Sequence, residues 1–431
     1  MNIPRFVVGI AGATTLALAA SGASAAQSVA DFYKGKKITI YIGYSPGGGY
    51  DAYSRTIARH MGRHIPGNPG FTPKNRPGAG SLLLTNELYN RHPQDGTAIS
   101  MIGRGMPMEA LFGNKQARFD PTKINWIGST NNEVSLCVTW HATGIDTLEK
   151  FLTQKIVVGG TGPGADTDIF PKVLNNVLGT KLNLITGYPG GNNINLAMEK
   201  GEVQGRCGWS WSSVKSTRPA WLKEGKVNLL LQMSTSKHPE LTERNVPFVM
   251  DLAKTERDRK ILTLVYARQA MGRPVATGPG VPEDRVEALR AAFDATMKDP
   301  KFLADIKRQK LELAPLGGRA IQELVVDIMT TPPEVVQAAK EASEKTGGMF
   351  IKKAKVQLVE HEGPVTQTKR GGRRIYIKYK GKEVRAKVSG SRTTVTIDGK
   401  KTRRKNVKVG MTCKFTYPSA GSEAKRVDCK S

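Results

Sequence analysis

The residues best placed to do chemistry form the run Tyr44-Ser45-Pro46-Gly47-Gly48-Gly49-Tyr50-Asp51. It follows a strand-like segment, Ile38 to Ile42, and precedes a helix-like one, Ala52 to Met61. A glycine-rich turn between strand and helix bares backbone N–H groups at the positive end of a helix dipole, which makes an anion site. The run lacks the Lys-Ser/Thr ending of a nucleotide P-loop, and its spacing is not the G-x-G-x-x-G of a dinucleotide fold. The predicted ligand is therefore a small carboxylate; the plainer alternative is a tight turn that simply needs glycine. Asp51 has two readings. It accepts from a hydroxyl or amine on the solute, or it caps the helix that follows.

Catalytic readings fare poorly. His60 and His64 stand four apart on one helix face, but a zinc protease needs Glu directly after the first His, and Met61 is there. No G-x-S-x-G nucleophile elbow occurs. Cys137 and Cys207 have no obvious His partner, and no C-x-x-C pair exists. No catalytic residue, metal or cofactor is predicted, and the chain is not expected to be an enzyme.

The elements that must hold the glycine turn alternate strand and helix. Strand-like runs cover Ile38–Tyr44, Ala98–Ile102, Trp126–Ser129, Leu136–Trp140, Ile156–Gly159, Leu182–Thr186 and Val227–Gln232. Helix-like runs cover Asp51–Met61, Leu82–Arg91, Thr147–Thr153, Asp168–Leu178 and Asn193–Lys200, with glycine or proline at nearly every junction. This is the pattern of an α/β protein with largely parallel sheets. Pro282 then opens an amphipathic helix in which Val286, Leu289, Phe293 and Met297 recur at helical spacing.

At 431 residues the chain exceeds one ordinary domain. Its formal net charge is +28, and residues 347–431 alone hold 23 Lys/Arg against 6 Asp/Glu, a net of +17. The composition shifts at Thr346-Gly347-Gly348, where a linker is predicted. At the other end, Arg5, the apolar stretch Phe6 to Ala20 and Ala23-Ser24-Ala25 fit a cleavable export signal over residues 1–25. The apolar stretch is shorter than the roughly 20 residues that span a bilayer. The mature chain is expected in the periplasm, where disulfides are permitted. Cys413 and Cys429 flank a predicted hairpin and are expected to pair. Cys137 and Cys207 pair only if the fold brings them together, and are otherwise two buried thiols.

Residues 30–345 resemble the extracytoplasmic solute receptors of tripartite tricarboxylate transporters, the Bug proteins. Pro46-Gly47-Gly48-Gly49-Tyr50-Asp51 with Arg55 resembles that family's P-G-G-G-x-D, Asn75 to Gly80 its N-R-P-G-A-G, and Pro93 to Thr97 its P-x-D-G-[YT]. Gly160-Thr161-Gly162-Pro163-Gly164, Tyr188 to Gly191 and Gly201 to Gly205 follow in the family's order. The resemblance implies a two-lobed α/β periplasmic binding protein that closes on a solute by hinge motion. Residues 26–133 and 237–345 would form the first lobe and 134–236 the second. It further implies a monomer that captures an organic acid and passes it to membrane permease subunits. The amides of Ser45 to Gly49 would face those of Thr161, Gly162, Gly164 and Ala165 across the cleft. The family's usual pattern is broken in two places. Asp168-Ile169 stands where a His often follows the second glycine loop, and Arg206-Cys207-Gly208-Trp209-Ser210-Trp211 follows Gly205. Trp209 either stacks on an elongated or aromatic acid or packs in the core. Trp211 has the same two readings. Arg206 either grips a carboxylate with two prongs or is solvated.

Residues 349–431 read as a small all-β, OB-like domain. Alternating runs at Ile375–Tyr379, Val384–Val388, Thr393–Ile397, Val407–Val409 and Cys413–Tyr417 are separated by turn signals at Lys380-Gly381-Lys382, Asp398-Gly399-Lys400 and Ser419-Ala420-Gly421. Its charge suits an anionic envelope component or is merely a solvated surface; the export signal argues against nucleic acid. The leading function is a periplasmic receptor for a carboxylate. The alternative is an envelope-associated sensory or anchoring protein that uses the lobes to sense ligand and the tail to bind an anionic partner.

Overall fold

The computed structural model describes Met1 and residues 27–354, 358–391, 393–417 and 423–431. The export-signal residues beyond Met1 and the turn Ser419-Ala420-Gly421 lie outside the described residues. The remainder builds three sheets: two α/β sheets and then an all-β one.

The first sheet runs Leu316–Gly317, Asn125–Ser129, Pro274–Thr277, Ala98–Met101, Lys37–Ile42, Gly70–Asn75 in spatial order. Lys37–Ile42 lies parallel to both its neighbours. The return strand Pro274–Thr277 is antiparallel to both of its own. The second sheet runs Ile351–Lys353, Lys181–Thr186, Lys155–Gly159, Gly205–Ser210, Ser135–Trp140, Val227–Met233. The chain thus leaves the first sheet after Ser129 and returns to it at Pro274. Ala98–Met101 is buried along its whole length, as a strand covered on both faces must be. Three strands lacked a clear sequence signal. Gly70–Asn75 holds a Pro at an edge, and Gly205–Ser210 and Pro274–Thr277 are buried strands that carry arginine, glycine or proline.

The helix Glu283–Lys298 buries Val286, Leu289, Phe293 and Met297, the stripe read from the sequence. Its successor, Pro300–Arg308, buries Phe302 and Ile306 in the same core as Ile38, Ile40 and Tyr53. Two carboxylates fasten this corner to the helix Gly49–His60 and to the turn Met61–His64 that follows it. Asp305 pairs with Arg59 at 2.8 Å and with His60 at 3.0 Å. Asp299 pairs with His64 at 2.7 Å and also with Arg63. Each histidine thus has a carboxylate partner of its own. Burial pushes both carboxyls up, but the hydrogen bonds from His64 and Arg63, and from His60 and Arg59, outweigh it and hold both well below the usual carboxylate range.

The third sheet orders its strands Lys382–Lys387, Arg374–Tyr379, Val359–Lys369, Thr412–Tyr417, Arg426–Lys430, Thr394–Ile397, Lys400–Lys401. Its core includes Val365, Ile375, Ile377, Ala386, Phe415, Tyr417 and Val427. Cys413 and Cys429 face each other across two antiparallel strands and are bonded at 2.03 Å. One predicted run is absent: Val407–Val409 follows a short helical turn and is not a strand. Val407 alone plugs the core, while Val409 is 63% exposed. Conversely, Val359–Lys369 is the longest strand of the sheet, hidden in the sequence by Gly363-Pro364. At that point it passes from pairing with Thr412–Tyr417 to pairing with Arg374–Tyr379. Proline is tolerated where a ladder changes partner. Gly363 is needed because a Cβ there would fall 2.0 Å from the Lys378 carbonyl oxygen.

Two outcomes follow. A carboxyl depressed in the folded state contributes stability above its unfolded pKa and loses it as pH falls through the folded value. Urea unfolding should therefore show parent stability falling below about pH 4, and Asp305→Asn should flatten that slope; an unchanged slope would mean the corner is not under this control. Separately, Cys413→Ser/Cys429→Ser opens a loop of 16 residues and should cost the tail about 3 kcal/mol. All five Trp lie between Trp126 and Trp221. The tail's proteolysis midpoint should drop while the Trp-fluorescence transition stays in place; a joint shift would show one cooperative unit.

Candidate functional site

A cavity of about 70 Å³ lies where the two α/β sheets meet. Of the predicted residues, Gly48, Gly49, Thr161, Ala165 and Trp209 line it; Ser45, Gly47, Asp51, Gly162 and Gly164 do not.

The reason lies in where the loop amides point. The Gly47 N–H donates to Asp51 Oδ2 at 3.0 Å, while Asp51 Oδ1 accepts from Arg55 Nε and Asn75 Nδ2, each at 2.8 Å. Asp51 therefore braces the glycine turn from the helix's first turn, and the N-cap position itself falls to Gly48. Neither sequence reading of Asp51 is the one seen, though the capping one is nearer. Ser45 bonds across the junction, its N–H to Pro189 O at 3.1 Å and its Oγ to Asn193 Oδ1 at 2.9 Å. On the facing loop, Thr161 N–H donates to Thr167 Oγ1 at 3.0 Å and Gly162 N–H to Asp168 Oδ1 at 2.8 Å. Ala165 N–H donates to Gly162 O at 3.2 Å, and Gly164 O accepts from Arg268 Nη1 at 3.1 Å. The picture of two amide cradles is corrected accordingly. What remains on the cavity are Gly48 and Gly49 at a helix start, where the N–H groups have no intrahelical acceptor.

Asp168 explains the missing histidine. It is 3% exposed, takes the Gly162 N–H and the Thr186 hydroxyl, and burial pushes its carboxyl up. It shapes the loop from behind.

Side chains, not amides, dominate the cavity's electrostatics. Arg104, Arg206, Arg268 and Arg273 are all 5% exposed or less. Arg104 Nε reaches Asp166 Oδ2 at 2.7 Å, and its Nη2 reaches Ser135 and Ser210 at 3.0 and 3.2 Å. Arg268 lies 3.7 Å from the same Asp166. Arg273 pairs with fully buried Glu133 at 3.0 Å and donates to Ser213 Oγ at 2.9 Å. Two carboxylates thus serve three of these guanidiniums. A further buried carboxyl, Glu109, is pushed up by burial toward its neutral form. Arg206 differs: among the described residues it has no carboxylate partner. Its Nη1 donates to Gly191 O at 3.0 Å and to Asn195 Oδ1 at 2.9 Å, and its Nε, buried, has no acceptor. Burial, reinforced by the nearby positive Arg218, pushes it down to about 9. A guanidinium resists losing its proton, so Arg206 stands as a buried cation.

The strand Gly205–Ser210 sets up this side. A register shift opposite Leu136/Cys137 and a positive φ at Gly208 (+79°) bend it, so that Arg206 and Trp209 both reach the cavity. Cys207 turns to the core and is bonded to Cys137 at 2.01 Å across the antiparallel pair, so these two are not free thiols. Trp209 packs in the core and also lines the cavity. It is 2% exposed, edge-on to Trp221 at 5.9 Å, and the Arg206 guanidinium sits 4.8 Å from its ring centre. Trp211 is core, bonded through Nε1 to Glu240 at 3.0 Å. Sequence reasoning missed Arg104, Arg268, Arg273, Asp166 and Glu133. The available signal was charge set inside apolar runs, as in Ile102-Gly103-Arg104.

No protein-family model matches the chain. Over 350 residues it is 28% identical to the "UPF0065 protein in gbd 5'region" of Cupriavidus necator, covering 79% of this chain and 95% of that one. Its similarity to that UPF0065 protein thus runs over most of both chains. The periplasmic binding protein BugD superposes with a TM-score of 0.59 at 18% identity, over 74% of this chain and 100% of that one. MatC from Rhodopseudomonas palustris, solved with bound malate, gives 0.55 at 17% identity, over 70% and 99%. An R. palustris protein solved with adipate gives 0.56 at 14% identity, over 71% and 97%. The α/β part therefore has the two-lobed periplasmic-binding-protein fold, followed by an all-β region.

In this two-lobed fold the glycine turn is a contact between lobes. A Cβ on Gly49 would fall 2.0 Å from Ser213 Oγ, whereas one on Gly48 meets nothing within 4 Å. Gly49→Val should hold the lobes apart and raise the radius of gyration in small-angle scattering, and Gly48→Val should leave it at the parent value. Equal radii for all three would show that this contact does not set the closed form in solution.

Proposed function

We propose that this protein is a periplasmic receptor that closes over a small organic acid and passes it to permease subunits of a tripartite tricarboxylate-type transporter. The observation that carries the reading is Arg206: a cation in the cleft, 5% exposed, with no carboxylate of its own. Burying an unpaired charge is costly, and a solute carboxylate supplies the missing partner. The Gly48 and Gly49 amides add a helix N-terminus favourable to the same anion. Asn192, Asn195, Thr161 and Ser213 offer neutral polar contacts for the rest of the molecule. Solved proteins of the same fold carry malate and adipate, which makes short dicarboxylates the first probes. No catalytic step is proposed. Delivery to a permease and the periplasmic address rest on the family resemblance and on the export-signal reading. The basic tail adds an envelope-binding element that holds an anionic component outside the cleft.

A thermal-shift screen with malate, adipate and related acids tests this. A ligand at about 100 times its Kd adds roughly 2.7 kcal/mol. Arg206→Gln removes a charged donor that contributes about 1.5–3 kcal/mol, so affinity should fall by roughly 10- to 150-fold. Arg206→Lys, keeping charge without the planar fork, should fall between. A folded Arg206→Gln protein that binds the acid as tightly as the parent would sink the assignment.

A further inference from the structure

The tail's cations are gathered on one groove. Arg370, Arg373, Lys401, Arg403, Arg404 and Lys405 line an open hollow of about 970 Å³, and among the described residues no carboxylate shares its wall. A neighbouring hollow of about 340 Å³ shares Arg370, Arg373 and Arg404, adds Arg374 and Lys387, and includes one acid, Glu423. Among the described residues, none of the six cations of the main groove makes an ion pair.

Three chain segments build the wall, and they are tied together. The turn after Val359–Lys369 places Gly372 where a Cβ would fall 2.2 Å from Arg404 O, so only glycine allows the approach. Gly390 lies under the Arg404 guanidinium, which reaches Val388 O at 3.5 Å. Ser389 N–H donates to Thr393 Oγ1 at 2.9 Å, and Asn406 Nδ2 to Thr402 Oγ1 at 2.8 Å, fixing the two remaining loops. Like charges set this close repel, and the compact state bears the cost. Lys387 shows the crowding: burial and the adjacent Arg385 and Arg374 push its ammonium down.

The lining names the ligand's chemistry. Four of the six cations are arginines, whose planar forks match phosphate oxygens in pairs. Among the described residues no aromatic side chain lines the groove, whereas single-stranded nucleic acid uses a stacking platform. Six cations exceed what one free phosphate needs. Just beyond Asn406 in the chain, Lys408 is followed by Val409, 63% exposed, an apolar side chain beside basic ones as at lipid interfaces. We infer that this groove binds the clustered phosphates of a phosphorylated lipid head group, seating the tail on an anionic membrane face. The inference deepens the envelope-binding element proposed above and does not depend on the carboxylate site.

The test uses the full mature chain and sedimentation with phosphatidylcholine vesicles, plain or carrying a bis-phosphorylated glycolipid. Binding should require the glycolipid and weaken with salt. Arg373→Glu/Arg403→Glu should bind about 30-fold more weakly, since each basic residue near the surface contributes to adsorption. Lys378→Glu/Lys430→Glu, with the same charge change on exposed positions outside the groove, should lose much less. Equal losses in both variants would overturn the groove and leave a diffuse basic surface. Full displacement by millimolar inorganic phosphate, or tighter binding to a short single-stranded DNA than to the vesicles, would overturn the lipid assignment. The carboxylate thermal shift should be the same in the groove variant as in the parent, so failure here and failure of the receptor reading are told apart.

Discussion

Four guanidiniums buried at the meeting of two sheets constrain everything else in this molecule. Removing a charge from water is tolerable only when fixed partners replace it. Asp166 opens a helix that follows a strand of the second sheet, yet its principal partner, Arg104, follows a strand of the first. Arg273, just before the return strand, reaches Glu133 and Ser213. The Asp166 pairs and the Arg273–Ser213 bond therefore join opposite sides of the cleft, and they are complete when the sides meet. Arg206 is the exception left over. The contact between the two sides and the charge balance within it are consequences of one arrangement.

The glycine loops serve that arrangement more by shape than by donating hydrogen bonds. Gly162, at φ +131°, would place a Cβ 2.8 Å from the Gly80 amide nitrogen of the facing loop. Asp51 and Asp168, one in each loop region, take the glycine amides from behind and stiffen the turns. With those amides engaged, side chains supply much of the cavity wall: Arg206, Trp209, and the asparagines and hydroxyls around them.

The tail is joined to this machinery by little. Ile351–Lys353 adds one parallel edge strand to the second sheet, and the chain then starts a sheet and a core of its own. A core that small benefits from the Cys413–Cys429 bond. Its surface carries the larger part of the protein's net charge in a fifth of its length, and gathers it on a concave wall.

Much of this was legible in the residues alone. Alternation of Ile38, Ile40 and Ile42 gave a strand, the stripe Val286 to Met297 gave a helix, and glycine with proline marked the turns, because local periodicity and backbone sterics act within a few residues. The ordered motifs gave the fold family, and the composition break near Gly347 gave a tail of different character. The sequence could not show which loop amides stay free, since Asp51 and Asp168 compete for them only once the turns are folded. Nor could it show that Val359–Lys369 is a strand, because Gly363-Pro364 is permitted only where the ladder changes partner. Cys137 and Cys207 are 70 residues apart and meet only when their strands pair. Arg206 is the sharpest case. Whether an arginine is solvated or buried without a partner depends on what lies within a few ångströms of it, and those neighbours come from segments that are adjacent only in the folded chain.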